Sequence, residues 1–153
     1  MDNSLTHRKA TLQDLPHIIF LLQDDNLGQT REWLFSALES SYTRAFNLIA
    51  KDPNHYLMVV ERNQEILATC HLTLLPSLTF KGATRLQIEA VRVNANYRGQ
   101  KIGNWMMSQV MQYAKELGVS TIQLTTNKSR LQAMKFYENL GFKASHEGMK
   151  LYL

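Results

Sequence analysis

Apolar and polar residues alternate with several different periods along the 153-residue chain, and each change of period marks an element. Leu15, Ile18, Ile19 and Leu22 recur at helical spacing and predict one apolar helix face. Thr11 and Asp14 stand three apart at its start, a capping-box pattern with Asp in the place of Glu. Pro16 falls in the first turns, where a missing N–H is tolerated. Before this helix, residues 6–10 read as a short strand. After it, residues 26–30 form a turn, with Gly28 as a helix stop. A second helix is predicted from about 31 to about 50, with Leu34, Leu38, Tyr42, Ala45 and Ile49 on one face. Asp52-Pro53-Asn54 ends it.

The period then shortens. Residues 55–61 and 66–75 are rich in β-branched, aromatic and leucine side chains, and the polar residues 62–65 between them read as a hairpin turn. That turn lacks the usual Asn-Gly pair. Pro76 stops the second strand, and residues 77–84 read as a loop. Residues 86–93 form the next strand, 103–117 a helix closed by Gly118, and 121–125 a β-branched strand. Strand, crossover helix and strand make a βαβ unit, so the two strands are predicted to be parallel neighbours. A last helix over 131–140 stops at Gly141. Residues 142–146 and 149–153 then predict a closing hairpin around Glu147-Gly148.

Composition narrows the class. The length and the 44% apolar content suit one soluble domain over residues 1–153. A single cysteine, Cys70, excludes an intrachain disulfide and fits a reducing compartment. No apolar run reaches the ~18 residues of a membrane span, and the first ten residues lack an apolar signal core. Cytoplasmic residence without a membrane partner is the expectation. The net charge of +4 is spread over a mixed surface, with no aromatic-basic platform for nucleic acid. The five histidines are scattered without ligand spacing, so no metal site is expected.

Chemistry concentrates between strand 86–93 and the helix that follows. Arg98-Gly99-Gln100-Lys101-Ile102-Gly103 places two glycines and two cations at a helix start. The first N–H groups of a helix have no intrahelical acceptor and lie at the positive end of its dipole. Cations sit badly there unless an anion joins them, so the stretch predicts a phosphate-binding turn.

This turn resembles the pyrophosphate loop of the GCN5-related N-acetyltransferases (GNAT), whose pattern is Gln/Arg-x-x-Gly-x-Gly/Ala. Lys101 stands where the pattern has its first glycine. As a first-turn helical residue it would need no positive φ. A second segment, Arg130-x-x-Ala133-x-x-Phe136-Tyr137-Glu138-x-x-Gly141-Phe142, resembles the family's Ala-x-x-Phe/Leu-Tyr-x-x-x-Gly-Phe helix. The opening Arg8-Lys9-Ala10-Thr11-Leu12 also resembles the family's first strand and helix, so the likeness spans nearly the whole chain.

The resemblance implies an α/β fold with a mixed α+β sheet. About seven mostly antiparallel strands would include one splayed parallel pair, with four helices around them. It implies an acetyl-CoA-dependent N-acetyltransferase acting on a primary amine of a small molecule or peptide by direct attack in a ternary complex. A non-catalytic acyl-CoA sensor is the alternative, and a homodimer is compatible with either. Acetyl-CoA would be held by Val91, Arg92 and Val93 along the strand and by Arg98, Gly99, Gln100, Lys101, Ile102, Gly103 and Asn104 at the turn. Asn127, Arg130 and Tyr137 would hold it from the far side. Tyr137 would protonate the leaving thiolate, or serve as an ordinary helix aromatic. Glu89 would accept the amine proton through water and touch the acceptor, or pair with Arg85 or Arg92. Trp33, with Phe35, Tyr42 and Phe46, would line the acceptor wall, although helix packing is the commoner role for any single one of them. A backbone N–H near Val91 would meet the oxyanion. Cys70 is not needed as a nucleophile.

Overall fold

The computed structural model describes residues 4–23 and 35–153, the side chains of 35–39 excepted. Among these residues the chain forms five strands and five helices. The strands are β1 (Thr6–Lys9), β2 (His55–Arg62), β3 (Glu65–Pro76), β4 (Thr84–Val93) and β5 (Thr121–Leu124). The helices are α1 (Leu15–Gln23), α2 (Phe35–Lys51), the single turn α3 (Thr79–Gly82), α4 (Ile102–Glu116) and α5 (Leu131–Asn139). One sheet runs in chain order β1-β2-β3-β4-β5. The first three pairs are antiparallel, and β4 and β5 are parallel, joined by α4.

The sheet is buried on both faces, which explains why β2 reads as a continuous apolar run rather than an alternating one. Met58 and Val60 point to one face and pack with Leu72, Ile88, Met106 and Val110 beneath α4. Leu57 and Val59 point to the other and pack with Leu15, Ile18, Ile19 and Phe46 beneath α1 and α2. Each fully buried side chain of this size contributes roughly 1.5–3 kcal/mol.

The capping box forms as expected. Thr11 N–H donates to Asp14 Oδ2 at 2.7 Å, and Asp14 N–H donates to the Thr11 carbonyl at 3.0 Å. Arg8 then clamps Asp14 at 2.6 Å and Glu61 at 3.1 Å, tying β1, the helix start and β2 together. The two-residue turn at Asn63 and Gln64 is tight without glycine, and both residues take left-handed φ, +51° and +69°.

Three expectations need correction. Residues 142–153 form no hairpin: Met149, Leu151, Tyr152 and Leu153 lie exposed, and among the described residues the sheet has five strands rather than about seven. Alternating character makes a strand only where it pairs with another edge, and among the described residues this stretch pairs with none. The loop at 77–84 contains the extra turn α3, with Phe80 and Lys81 left-handed at +50° and +62°. On α2, Phe46 rather than Ala45 carries the buried face. The turn at 26–30, Leu34 and the wall residue Trp33 lie outside the described residues, and so do the side chains of Phe35 and Leu38.

Candidate active site

The site is built where β4 leaves β5. The parallel pairing covers only Arg85↔Thr121 to Ile88↔Leu124. From Glu89 to Val93, β4 keeps its β3 partner but has none on the β5 side. The cause is local. Ala90 has φ +52°, and the β3–β4 register slips so that Ala90 and Val91 together face Cys70. A residue inserted on one strand bends it and turns it from its neighbour. The result is a parting of the sheet along Val91, Arg92 and Val93, which are half-buried and have no β5 partner.

This bulge also changes which side chains share a face. Val91 and Val93 pack toward the α4 side. Glu89 lies opposite His71 in the register, on the α1/α2 side, and is exposed. Glu89 and Val91 would share a face only in a regular strand, and the extra residue separates them.

The turn beyond β4 runs through a short 3₁₀ segment, Ala95–Tyr97, whose Asn94 side chain accepts from Asn96 N–H at 3.0 Å. Tyr97 anchors the turn to β3 by donating its hydroxyl to Glu65 at 2.7 Å. Gly99 and Lys101 then take left-handed φ, +81° and +60°, and Ile102 opens α4. Lys101 is therefore not a first-turn helical residue; it is the N-cap, left-handed at the position where the resembled pattern has its first glycine. An L-residue there costs about 1–2 kcal/mol. Arg98, Gly99, Gln100, Lys101 and Asn104 are exposed, and Gln100 Oε1 accepts from Arg62 at 3.4 Å. Ile102 differs: its side chain is 1% exposed in the core, so only its backbone faces the turn. Arg92 folds back, donating from Nη1 to the Val91 carbonyl at 2.8 Å. Arg98 donates from Nε to the Val93 carbonyl at 3.3 Å.

The opposite wall is α5. Tyr137 is half-buried between Phe136 and Phe142, with ring centroids 5.2 and 5.8 Å away. Burial pushes its phenol above the usual range, against the opposing pull of Arg92 and Arg130. It is thus a neutral donor at ordinary pH, and among the described residues no group takes its hydroxyl hydrogen bond. Arg130 is the N-cap residue of α5. Asn127 is more committed than expected: its Oδ1 accepts from Ser129 N–H at 2.9 Å and Ser129 Oγ at 2.8 Å. Only its amide N–H₂ remains for a ligand.

Tyr42 belongs to the packing around the α2 core, like Phe46. Cys70 is fully buried, and burial pushes its thiol up to about 12, which makes a thiolate nucleophile untenable. One pair escaped sequence reasoning. His55 Nδ1 and His71 Nε2 lie 2.8 Å apart, and burial together with His55 pushes His71 down to about 4. Counting outward from the 63–64 turn places these rings on opposite faces. A register shift between Val60 and Glu61 brings them onto one. No group of three or more His, Cys, Asp or Glu among the described residues is arranged to hold a metal. No described helix is long and apolar enough to cross a membrane.

Comparison with known proteins places this geometry in context. The family model for the Acetyltransferase (GNAT) family matches residues 19–142. Aminoalkylphosphonate N-acetyltransferase of Salmonella typhimurium is 31% identical over 67% of this chain and 64% of its own length. The chain spans about half the length of the curated relatives it matches. Among solved structures, that of a transcriptional regulator from Bacillus halodurans C-125 is 45% identical, with a TM-score of 0.93 over 98% of this chain and 100% of that one. A predicted acetyltransferase from Clostridium acetobutylicum, solved with acetyl-CoA, shares the fold at 22% identity and a TM-score of 0.74, covering 97% of this chain and 96% of that one.

Proposed function

The chain belongs to the GNAT acetyltransferase family, and we propose that residues 1–153 act as one cytoplasmic, acetyl-CoA-dependent N-acetyltransferase domain. Its acceptor is a primary amine of a small molecule or peptide, attacked directly in a ternary complex. The observation that carries this reading is the parted seam: β4 loses β5 after Ile88 and continues through a bulge into a left-handed turn and a helix start.

The β5-side edge of Val91, Arg92 and Val93 takes the amides of the pantetheine arm as an added strand would. N–H groups from Arg98 to Gly103 take the pyrophosphate, and Arg98 and Lys101 offset its charge. That anion also resolves the unfavourable placement of Lys101 at the positive helix end. Asn104 in the first turn and Asn127 and Arg130 across the cleft complete the contacts. The Val91 N–H stabilises the oxyanion. Tyr137 donates to the departing thiolate, whose conjugate acid lies near ~8.5. Glu89 removes the amine proton through water.

The test is release of free CoA thiol from acetyl-CoA over amino acids, polyamines, aminoglycosides, peptide N-termini and an aminoalkylphosphonate. Thiol release with at least one amine is expected, and the buried Cys70 adds little background. CoA binding by calorimetry without thiol release would favour the second reading, an acyl-CoA sensor. The 45% identity to a transcriptional regulator is the observation on that side.

A further inference from the structure

His55 Nδ1 and His71 Nε2 stand 2.8 Å apart, so one nitrogen donates and the other accepts. The outer end of the pair gives the direction. His55 Nε2 lies 3.7 Å from Asp52 Oδ2, which favours a proton on Nε2 and leaves Nδ1 as the acceptor. Thr73 Oγ1, 3.3 Å away, can donate to that same Nδ1. In that arrangement His71 donates from Nε2 to His55 Nδ1. The lone pair of His71 Nδ1 is left with no hydrogen-bond partner among the described residues. His71 is also the register partner of Glu89, so the two side chains stand side by side on one face of the sheet.

We propose that His71, His55 and Asp52 form the exit path for the proton that the acceptor amine gives up. The inference rests on the N-acetyltransferase reading of the same site. Glu89 takes the proton and passes it, through water, to His71 Nδ1. The His71 Nε2 proton moves to His55 Nδ1. The His55 Nε2 proton leaves to Asp52, whose side chain is 44% exposed, and so to solvent. One proton enters and one leaves, and the rings regain their starting tautomers by exchange with water between turnovers. His71 and His55 act as relay residues and do not touch the substrate.

The surroundings fit this direction. Burial and the His55 neighbour keep His71 neutral at pH 7, so it holds the extra proton only in passing and hands it on to His55. The titratable groups around it are His55 on β2, Asp52 after α2, and Glu89 and Arg85 on β4. Of the covering helices, α1 carries only the exposed His17, and the described side chains of α2 include Tyr42, Arg44 and Lys51.

The test uses His71→Gln and His55→Gln with acetyl-CoA and the fastest amine of the panel above. Each should lower kcat about 10-fold or more at pH 7, with KM for both substrates within about twofold. The deficit should shrink toward pH 9, where more of the amine is already neutral, and added imidazole should restore part of the rate. Unchanged kcat and pH profile in both variants would overturn the path. If His71→Gln melts early, His55→Gln carries the kinetic test. Nitrogen-15 spectra of the wild-type rings should show both protons on Nε2; a proton on His71 Nδ1 would overturn it as well. A wild type silent with every amine removes the transferase reading and the path together. An active wild type with unaffected variants removes the path alone.

Discussion

A Cβ on Gly103 would stand 3.4 Å from Cζ of Phe136, so the start of α4 and the face of α5 meet at van der Waals distance. The turn proposed to bind phosphate and the wall that carries Tyr137 are thereby held side by side. Gly103→Ala should fit and stabilise the helix by about 0.5–1 kcal/mol, measured by urea unfolding. Gly103→Leu should push Phe136 and its neighbour Tyr137 aside. Turnover should fall about 10-fold or more with Leu and change little with Ala.

Lys101 tests a conformational cost against a ligand contact. Lys101→Gly removes the left-handed penalty but adds freedom to the unfolded chain. The free protein should gain roughly 0.5–1 kcal/mol in a denaturant titration. Calorimetry should meanwhile show several-fold weaker CoA binding, because a cation has gone. Equal CoA affinity would remove Lys101 from the pyrophosphate contacts.

Tyr137→Phe keeps the edge-to-face contacts with Phe136 and Phe142 and deletes only the hydroxyl. Turnover should drop about 100-fold while the Kd for acetyl-CoA stays within about threefold. Parallel loss of both would show that Tyr137 holds the ligand rather than acting on the leaving group.

Asp14 ties stability to acid pH. Hydrogen bonding from Arg8, with help from Thr11, lowers its carboxyl from 3.8 to about 2. A carboxyl with a depressed folded pKa stabilises the fold fully above its unfolded value, and that contribution fades as pH falls through about 2. Asp14→Asn should cost about 1 kcal/mol at pH 7 after allowance for solvent screening. The cost should vanish in melts near pH 2.

Much of the architecture was legible because period and punctuation agree locally. The Thr11–Asp14 box, the hairpin turn over 62–65 and the βαβ unit all rest on short-range chemistry, and all formed. Two of the misses share one cause, which is register. A single bulged residue at Ala90 moves Glu89 away from Val91, and a single slip at Val60/Glu61 joins His55 to His71. Neither has a residue signature, because alanine, valine and glutamate give no sign of a bulge. The Lys101 backbone was missed for a related reason. Only Gly, Asn and Asp signal left-handed turns, and a lysine held there by its neighbours does not. The closing hairpin failed because alternation along 149–153 specifies a face and says nothing about a partner.

β5 joins the sheet through four residue pairs, and no residue of α5 is fully buried. The β1–β4 side is held by long ladders and two cores. The two walls of the cleft therefore differ in rigidity. Amide hydrogens on β5 and α5 should exchange through local openings well below the global unfolding free energy, while those of β2 and β3 wait for complete unfolding. A ligand spanning both walls would slow exchange mostly on the soft one, so its arrival would be recorded by the half of the site that binds it least firmly at rest.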